Sequence, residues 1–214
     1  MERSLKTSTV IRRYLGLAAL ALLLQACRLS GGPIDGQVLE ERTDRPIPDA
    51  FVIARWTCQA GQDSGMVCYH VLVTATDKEG RYHFPEWSKE GKNYCVANQY
   101  VYLSAYKPGY AESYVSSEKK ETRHLKQFTG TKEERLKSIG QGGDLRCGSP
   151  EEYRPVAEPL LRATYEEAKS IATTGKDLEI LDDYLTAWEE MKFGSKTAHQ
   201  RREQRRLERL KEKK

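Results

Sequence analysis

The residues of this 214-residue chain best able to do chemistry are its five cysteines and four histidines, and their spacing restricts what that chemistry is. His70, His83, His124 and His199 form no H-E-x-x-H motif and no i, i+4 pair of histidines, so no helical metal site is written in the sequence. Cys58, Cys68, Cys95 and Cys147 contain no C-x-x-C, which removes the zinc-ribbon and thioredoxin-type readings. Ser64 sits between Asp63 and Gly65, a local pattern found around serine nucleophiles. A nucleophile needs a base and an oxyanion hole, and the rest of such a motif is missing, so residues 61–65 read as a polar hairpin loop. A metal pair of His70 and His83, or a cryptic hydrolase built on His70 or Ser64, are the catalytic alternatives. Glu166-Glu167 and Glu189-Glu190 fall on predicted helices, where neighbouring side chains diverge by about 100°, so solvated faces are expected there. The expectation is a chain with no catalytic residue, no metal and no cofactor.

Cys27 stands apart from the other four. Met1–Arg13 holds Arg3, Lys6, Arg12 and Arg13 against the single acid Glu2, and Tyr14–Leu24 is uncharged and mostly apolar. That order, basic then apolar then small, is the order of a secretory signal over residues 1–26. The apolar stretch is too short to cross a hydrocarbon layer as a helix. Leu24-Gln25-Ala26-Cys27 resembles the lipobox of bacterial lipoproteins, with Gln25 departing from its usual small residue. The resemblance implies a diacylglycerol on the Cys27 thiol, cleavage before Cys27 and acylation of the new amine. Because residue 28 is Arg and not Asp, the outer membrane is the expected destination within the cell envelope.

With Cys27 set aside, four cysteines in an exported chain imply two disulfides. Cys58 ends one predicted strand and Cys68 begins the next, so a hairpin would pair them, leaving Cys95 to Cys147.

The elements that must position these residues follow from periodicity. Residues 27–33 are small and Gly-containing and read as a tether. Strands are expected at Ile34–Glu40, Ala50–Cys58, Met66–Thr76, Arg81–Phe84, Tyr100–Tyr106 and within Ser113–Phe128, from alternating apolar residues between turn signals. Thr131–Ile139 reads as a short helix with Glu134 in capping-box position. A longer helix begins near Pro159 and ends at Gly175. Asp177 caps the next helix, whose Leu178, Leu181, Leu185, Trp188 and Met191 form a packing stripe. The tail Lys196–Lys214, with nine Lys/Arg and three Glu, is expected to protrude or fray. Residues 27–195 carry 22 bases and 27 acids, so the body of the protein is mildly acidic and nucleic acid is not an expected partner.

Three segments carry a family resemblance: Gly36-x-Val38, Thr43-x-x-Pro46-Ile47-Pro48-x-Ala50-x-Val52, and Thr76-Asp77-x-x-Gly80-x-Tyr82. In this order and spacing they resemble the carboxypeptidase regulatory-like domain, whose pattern runs Gly-x-Val, then Thr-Gly-x-Pro-Ile-x-Gly-Ala-x-Val, then Thr-Asp-x-x-Gly-x-Phe. Asp44 stands where a Gly is usual, Pro48-Asp49 replaces a pair of small residues, and Tyr82 replaces Phe. The resemblance covers residues 36–110. It implies a mainly β fold, a transthyretin-like (prealbumin-like) sandwich over residues 34–128, followed by a helical region at 129–195 and the basic tail at 196–214. It also implies a non-catalytic binding or scaffolding module, its partner an envelope protein or a glycan such as peptidoglycan. Trp56, Trp87 and Tyr110 are the recognition candidates, with core packing as their competing role.

Overall fold

The structure, a computed structural model, describes residues 28–60, 65–90, 95–113, 121–139, 147 and 150–212. The signal segment, Cys27, Ser64 and its loop, and the Cys95 side chain lie outside the described residues.

Among the described residues, nine strands form three sheets: β1 Arg28–Gly31, β2 Ile34–Glu40, β3 Phe51–Ala60, β4 Met66–Ala75, β5 Arg81–Phe84, β6 Trp87–Glu90, β7 Cys95–Tyr106, β8 Tyr110–Ser113 and β9 Thr122–Gln127. A four-stranded sheet has the order β5-β2-β9-β8, a three-stranded sheet the order β4-β3-β7, and β1 and β6 pair as a two-stranded ribbon. All the ladders are antiparallel except β2 with β9, which is parallel. Four helices follow among the described residues: α1 Lys132–Ile139, α2 Pro150–Ile171, α3 Gly175–Phe193 and α4 Ser195–Glu212.

The alternation along β3 explains the layering. Val52, Ala54, Trp56 and Cys58 point one way, into a core shared with Val38, Tyr82, Phe84 and Leu125 of the four-stranded sheet. Phe51 and Ile53 point the other way, into a second core with Val71, Tyr106, Leu136, Ala157, Leu160 and Ala168, which brings in α1 and α2. A central strand covered on both faces becomes a near-continuous apolar run, which is how β3 reads. The architecture is therefore a β-rich part with helices laid against the outer face of its three-stranded sheet.

Several expectations are corrected. Helices account for most of residues 132–212, so the chain is a mixed α and β protein and not mainly β. The segment read as a tether contains a strand: Arg28–Gly31 pairs with Trp87–Glu90, and Leu29 is buried. Helix α2 begins at Pro150, nine residues before Pro159, with Pro155 and Pro159 inside it. Each proline removes a backbone donor; burial of Ala157, Leu160 and Ala168 on the opposing face holds the helix together regardless. Gly175 opens α3 instead of closing α2. Thr174 is the N-cap and Asp177 is its capping-box partner. Helix α1 has the expected box, with the Glu134 N–H donating to Thr131 Oγ1 at 3.2 Å and the Thr131 N–H to Glu134 Oε2 at 2.7 Å.

The disulfide pairing is also corrected. Cys68 bonds to Cys147, with Cα atoms 4.8 Å apart, and Cys58 is a half-cystine whose partner is therefore neither of these. Cys58 and Val67 are the register partners on β3 and β4, so Cys58 and Cys68, one residue off register, point to opposite faces. Cys58 is buried in the inter-sheet core, and Cys68 packs on the helical side.

Candidate functional site

The three motif segments meet. The Val38 N–H donates to Gly80 O (2.8 Å), and the Ile47 N–H donates to Val38 O (3.0 Å). Thr76 Oγ1 is buried, donates to Ile47 O (2.7 Å) and accepts from the Ala50 N–H (2.9 Å). Asp77 Oδ1 accepts from the Glu79 and Arg81 N–H groups at 3.0 and 2.7 Å, an Asx turn. Gly80 closes that turn at φ 69°, where a Cβ would lie 2.7 Å from Val38 O. These bonds run from one motif to another, so the three segments form a joint between β2, β5 and the start of β3.

The histidines are dispersed among different partners. His70 lies against Trp56 and Trp87, with ring centroids at 5.3 and 3.9 Å. Burial, and then the charge of Lys89, lower its pKa to about 4, so it is neutral at pH 7. His70 Nε2 and Trp87 Nε1 are buried without a hydrogen-bond partner. His83 Nδ1 is 2.7 Å from Asp35 Oδ1 in an exposed pair, and His199 Nδ1 is 2.8 Å from Ser195 O. Among the described residues, no group of three or more His, Cys, Asp or Glu is placed to hold a metal ion. Trp56 is buried, and Trp87 and Tyr110 pack partly buried on the same core; the competing role, core packing, is the one they take.

Of the carboxylates expected on solvated faces, Glu166 is exposed and Glu190 half-buried, but the side chains of Glu167 and Glu189 are buried. Glu167 is 7% exposed and faces Arg135, also 7% exposed, across 2.7 Å. Both its oxygens are occupied: Oε1 accepts from Arg135 Nε (2.8 Å) and the Gly109 N–H (2.7 Å), and Oε2 from Arg135 Nη2 (2.9 Å) and the Tyr106 hydroxyl (2.5 Å). Burial, and then the hydrogen bond to Glu167, raise the Tyr106 pKa far above the ordinary tyrosine range, keeping it a donor. Arg135 also donates to Tyr110 O (2.6 Å) and stacks over the Phe128 ring at 5.2 Å. This cluster floors an open groove of about 550 Å³ between the 107–110 turn and α2, also lined by Pro108, Ala163 and Ile171. Its charges are engaged with each other, so the geometry is that of a clasp joining β7, α1 and α2.

A second cluster corrects the frayed-tail expectation. Helix α4 folds back on α3: Arg205 Nε donates to Asp182 Oδ1 (2.6 Å) and its Nη1 to Glu189 Oε2 (2.8 Å), while Arg209 reaches Asp182 Oδ2 (3.1 Å). The side chains of Asp182 and Glu189 are only 3% and 8% exposed. Burial on its own would lower the Arg205 pKa, but its hydrogen bonds to Asp182 and Glu189 outweigh that, and the net shift is upward. The signal was present in the sequence as Arg201, Arg205 and Arg209 at i, i+4 spacing, but nothing in the tail itself shows which acids it meets.

Sequence reasoning also missed the exposed apolar residues. Tyr100, Val101 and Tyr102 of β7 are 49%, 44% and 50% exposed, and Met66 and Val67 of β4 are exposed as well. All five flank one stretch of β3: Arg55, Trp56 and Thr57 pair with Tyr102, Val101 and Tyr100, and Cys58 and Gln59 pair with Val67 and Met66. Among the described residues, no helix is long and apolar enough to cross a membrane.

Comparison of the chain with family models, with curated proteins and with solved structures returned no match.

Proposed function

We propose that the chain is a lipoprotein of the bacterial cell envelope, anchored through Cys27 in the outer membrane. In this reading its β-rich part is a carboxypeptidase regulatory-like, transthyretin-like sandwich that works as a non-catalytic binding or scaffolding module. The supporting observation is the conformation of the two departures from the family pattern. Asp44 (φ 52°) and Asp49 (φ 50°) stand at the two Gly positions of Thr-Gly-x-Pro-Ile-x-Gly-Ala, and they are the non-glycine residues with positive φ among the described residues. Left-handed backbone is where glycine is favoured and where Asp is among the better-tolerated substitutes. Positive φ at both places supports aligning them with the family's glycine positions, even though the side chains differ. A module role agrees with the carboxylates, whose buried members are engaged in clasps between elements.

The reading is tested by labelling cells with a radiolabelled or alkyne fatty acid. The wild-type chain should carry label and fractionate with the outer membrane, and Cys27→Ser should carry no label and lose most of that fraction. The purified Cys27→Ser form should give a flat response in a screen against peptides, glycans and esters. Turnover lost on substituting His70 or Ser64 would instead establish a hydrolase.

A further inference from the structure

The exposed apolar end of the three-stranded sheet lies close to the point where the lipid would be attached. Cys27 directly precedes β1, and β1 is held in a ladder from Arg28 to Gly31. Gly31 sits so tightly against the indoles that a Cβ there would come within 2.4 Å of Trp56 Nε1 and 2.9 Å of Trp87 Nε1. Four residues of extended chain reach at most about 14 Å, so Cys27 stays within about that distance of Gly31, which lies beside the Trp56 indole. Trp56 is the register partner of Val101, in the middle of the exposed patch. A lipid on Cys27 would therefore be joined to the fold through a laddered strand and not a free tether, on the face of β3 that carries Trp56 and Val101.

The shape of the patch selects among occupants. Tyr100 and Tyr102 point to one face of the sheet and Val101 to the other, and all three are exposed. The corner thus projects past both layers that cover the rest of the sheet. A protein partner, or a second copy of the chain, would cover one face or pair with the edge; a soft medium covers both faces together. Tyrosine is also among the residues enriched at a membrane–water boundary, where its amphipathic ring sits at headgroup level. In the order β4-β3-β7, strand β7 is an edge, and its outward N–H and C=O groups need water or headgroups, which limits insertion to the headgroup level.

We infer that Met66, Val67, Tyr100, Val101 and Tyr102 form a membrane-apposed wedge that seats the β-rich part in the headgroup layer of a phospholipid surface. This rests on the lipoprotein reading for its geometry, but its first test does not need the lipid. The chain from residue 28 onwards, which lacks both the apolar signal and the lipid site, is mixed with vesicles of phosphatidylethanolamine and phosphatidylglycerol, 3:1, and sedimented. The expected result is measurable partitioning that falls at least about tenfold in the Tyr100→Ser/Val101→Ser/Tyr102→Ser variant. Circular dichroism and a melting curve check that this variant is folded. Should it fail to fold, Met66→Ser/Val101→Ser supplies the same comparison with two substitutions. A second measurement follows amide exchange of β7 on the lipid-bearing chain reconstituted in the same vesicles, where residues 100–102 should slow and α4 should not. Equal partitioning of parent and variant, or unchanged exchange at 100–102, overturns the wedge. So does a dimer in sedimentation equilibrium that the variant abolishes, which assigns the face to a second copy. A chain that takes the lipid label yet shows no protection at 100–102 sinks the wedge and leaves the anchor standing. An unlabelled chain that still partitions through these residues does the reverse.

Discussion

The two faces of the β4-β3-β7 sheet are held by different physics. Towards the four-stranded sheet, contact is made by apolar side chains and by motif backbones that bond to one another. Towards the helices, an apolar core is stitched by buried charges: Arg135 with Glu167, and Arg205 with Asp182 and Glu189 one helix further out. An apolar face loses stability in proportion to the area uncovered, whereas a buried ion pair fails abruptly when one member is removed. The inter-sheet side should therefore tolerate conservative change better than the helical side does.

The largest effect is expected on the helical side, where a covalent bond ties the chain before α2 to the sheet. Cys68 and Cys147 are separated by 79 residues, and the chain-entropy model assigns a loop of that size about 4.5 kcal/mol. Cys68→Ser/Cys147→Ser should approach that loss in urea denaturation, and non-reducing peptide mapping of the parent should recover the Cys68–Cys147 link. Next is the clasp. Glu167→Ala strands Arg135 in a dry site and should cost about 3–4 kcal/mol, while Arg135→Met/Glu167→Leu should recover most of it, because a buried pair adds little over a well-packed apolar replacement. If the single and double variants are equally unstable, the clasp is not an ion-pair device and the contrast between the two faces fails.

A third expectation concerns pH and the inter-sheet side. The His70 pKa is lowered to about 4 in the fold, chiefly by burial, from an ordinary value of 6.5. Between these values the unfolded chain binds the proton and the folded chain does not, so stability present above pH 6.5 drains away as pH falls towards 4. His70→Phe should flatten this part of the melting-temperature profile without altering the plateau slope above pH 7. The smallest effect belongs to the turns. Asp44→Gly and Asp49→Gly should each raise stability by about 0.5 kcal/mol, and alanine at either place should lower it by about 1 kcal/mol. Gains from alanine would contradict the left-handed geometry on which the family reading leans.

The same contrast explains what could be read from the chain in advance. Strands β2, β3, β4 and β5 were legible because each alternates apolar residues between Pro, Gly and Asp signals. The capping box of α1 was legible because its two members are three residues apart. Strand β1 was not: Ser30-Gly31-Gly32 has a linker's composition, and its strand character comes from pairing with Trp87–Glu90 far along the chain. Glu167, Asp182 and Glu189 resemble any helical surface acids, and their burial depends on Arg135 and Arg205, 32 residues earlier and 16 or more later. Local pattern reveals local order; charged clasps between distant elements leave no local trace.

The parallel pairing of β2 with β9 carries a kinetic consequence. Gln37 to Glu40 lie beside Thr122 to Leu125, so the centre of the four-stranded sheet joins strands more than eighty residues apart. Strand β2 cannot gain its β9 neighbour until the whole intervening chain exists and has looped back, and closing so long a loop precedes any reward from the contacts it makes. The hairpin of β3 and β4, joined by a short connection, has no such wait. The three-stranded sheet should thus assemble early and act as the template, with the parallel seam closing last and setting the overall folding rate.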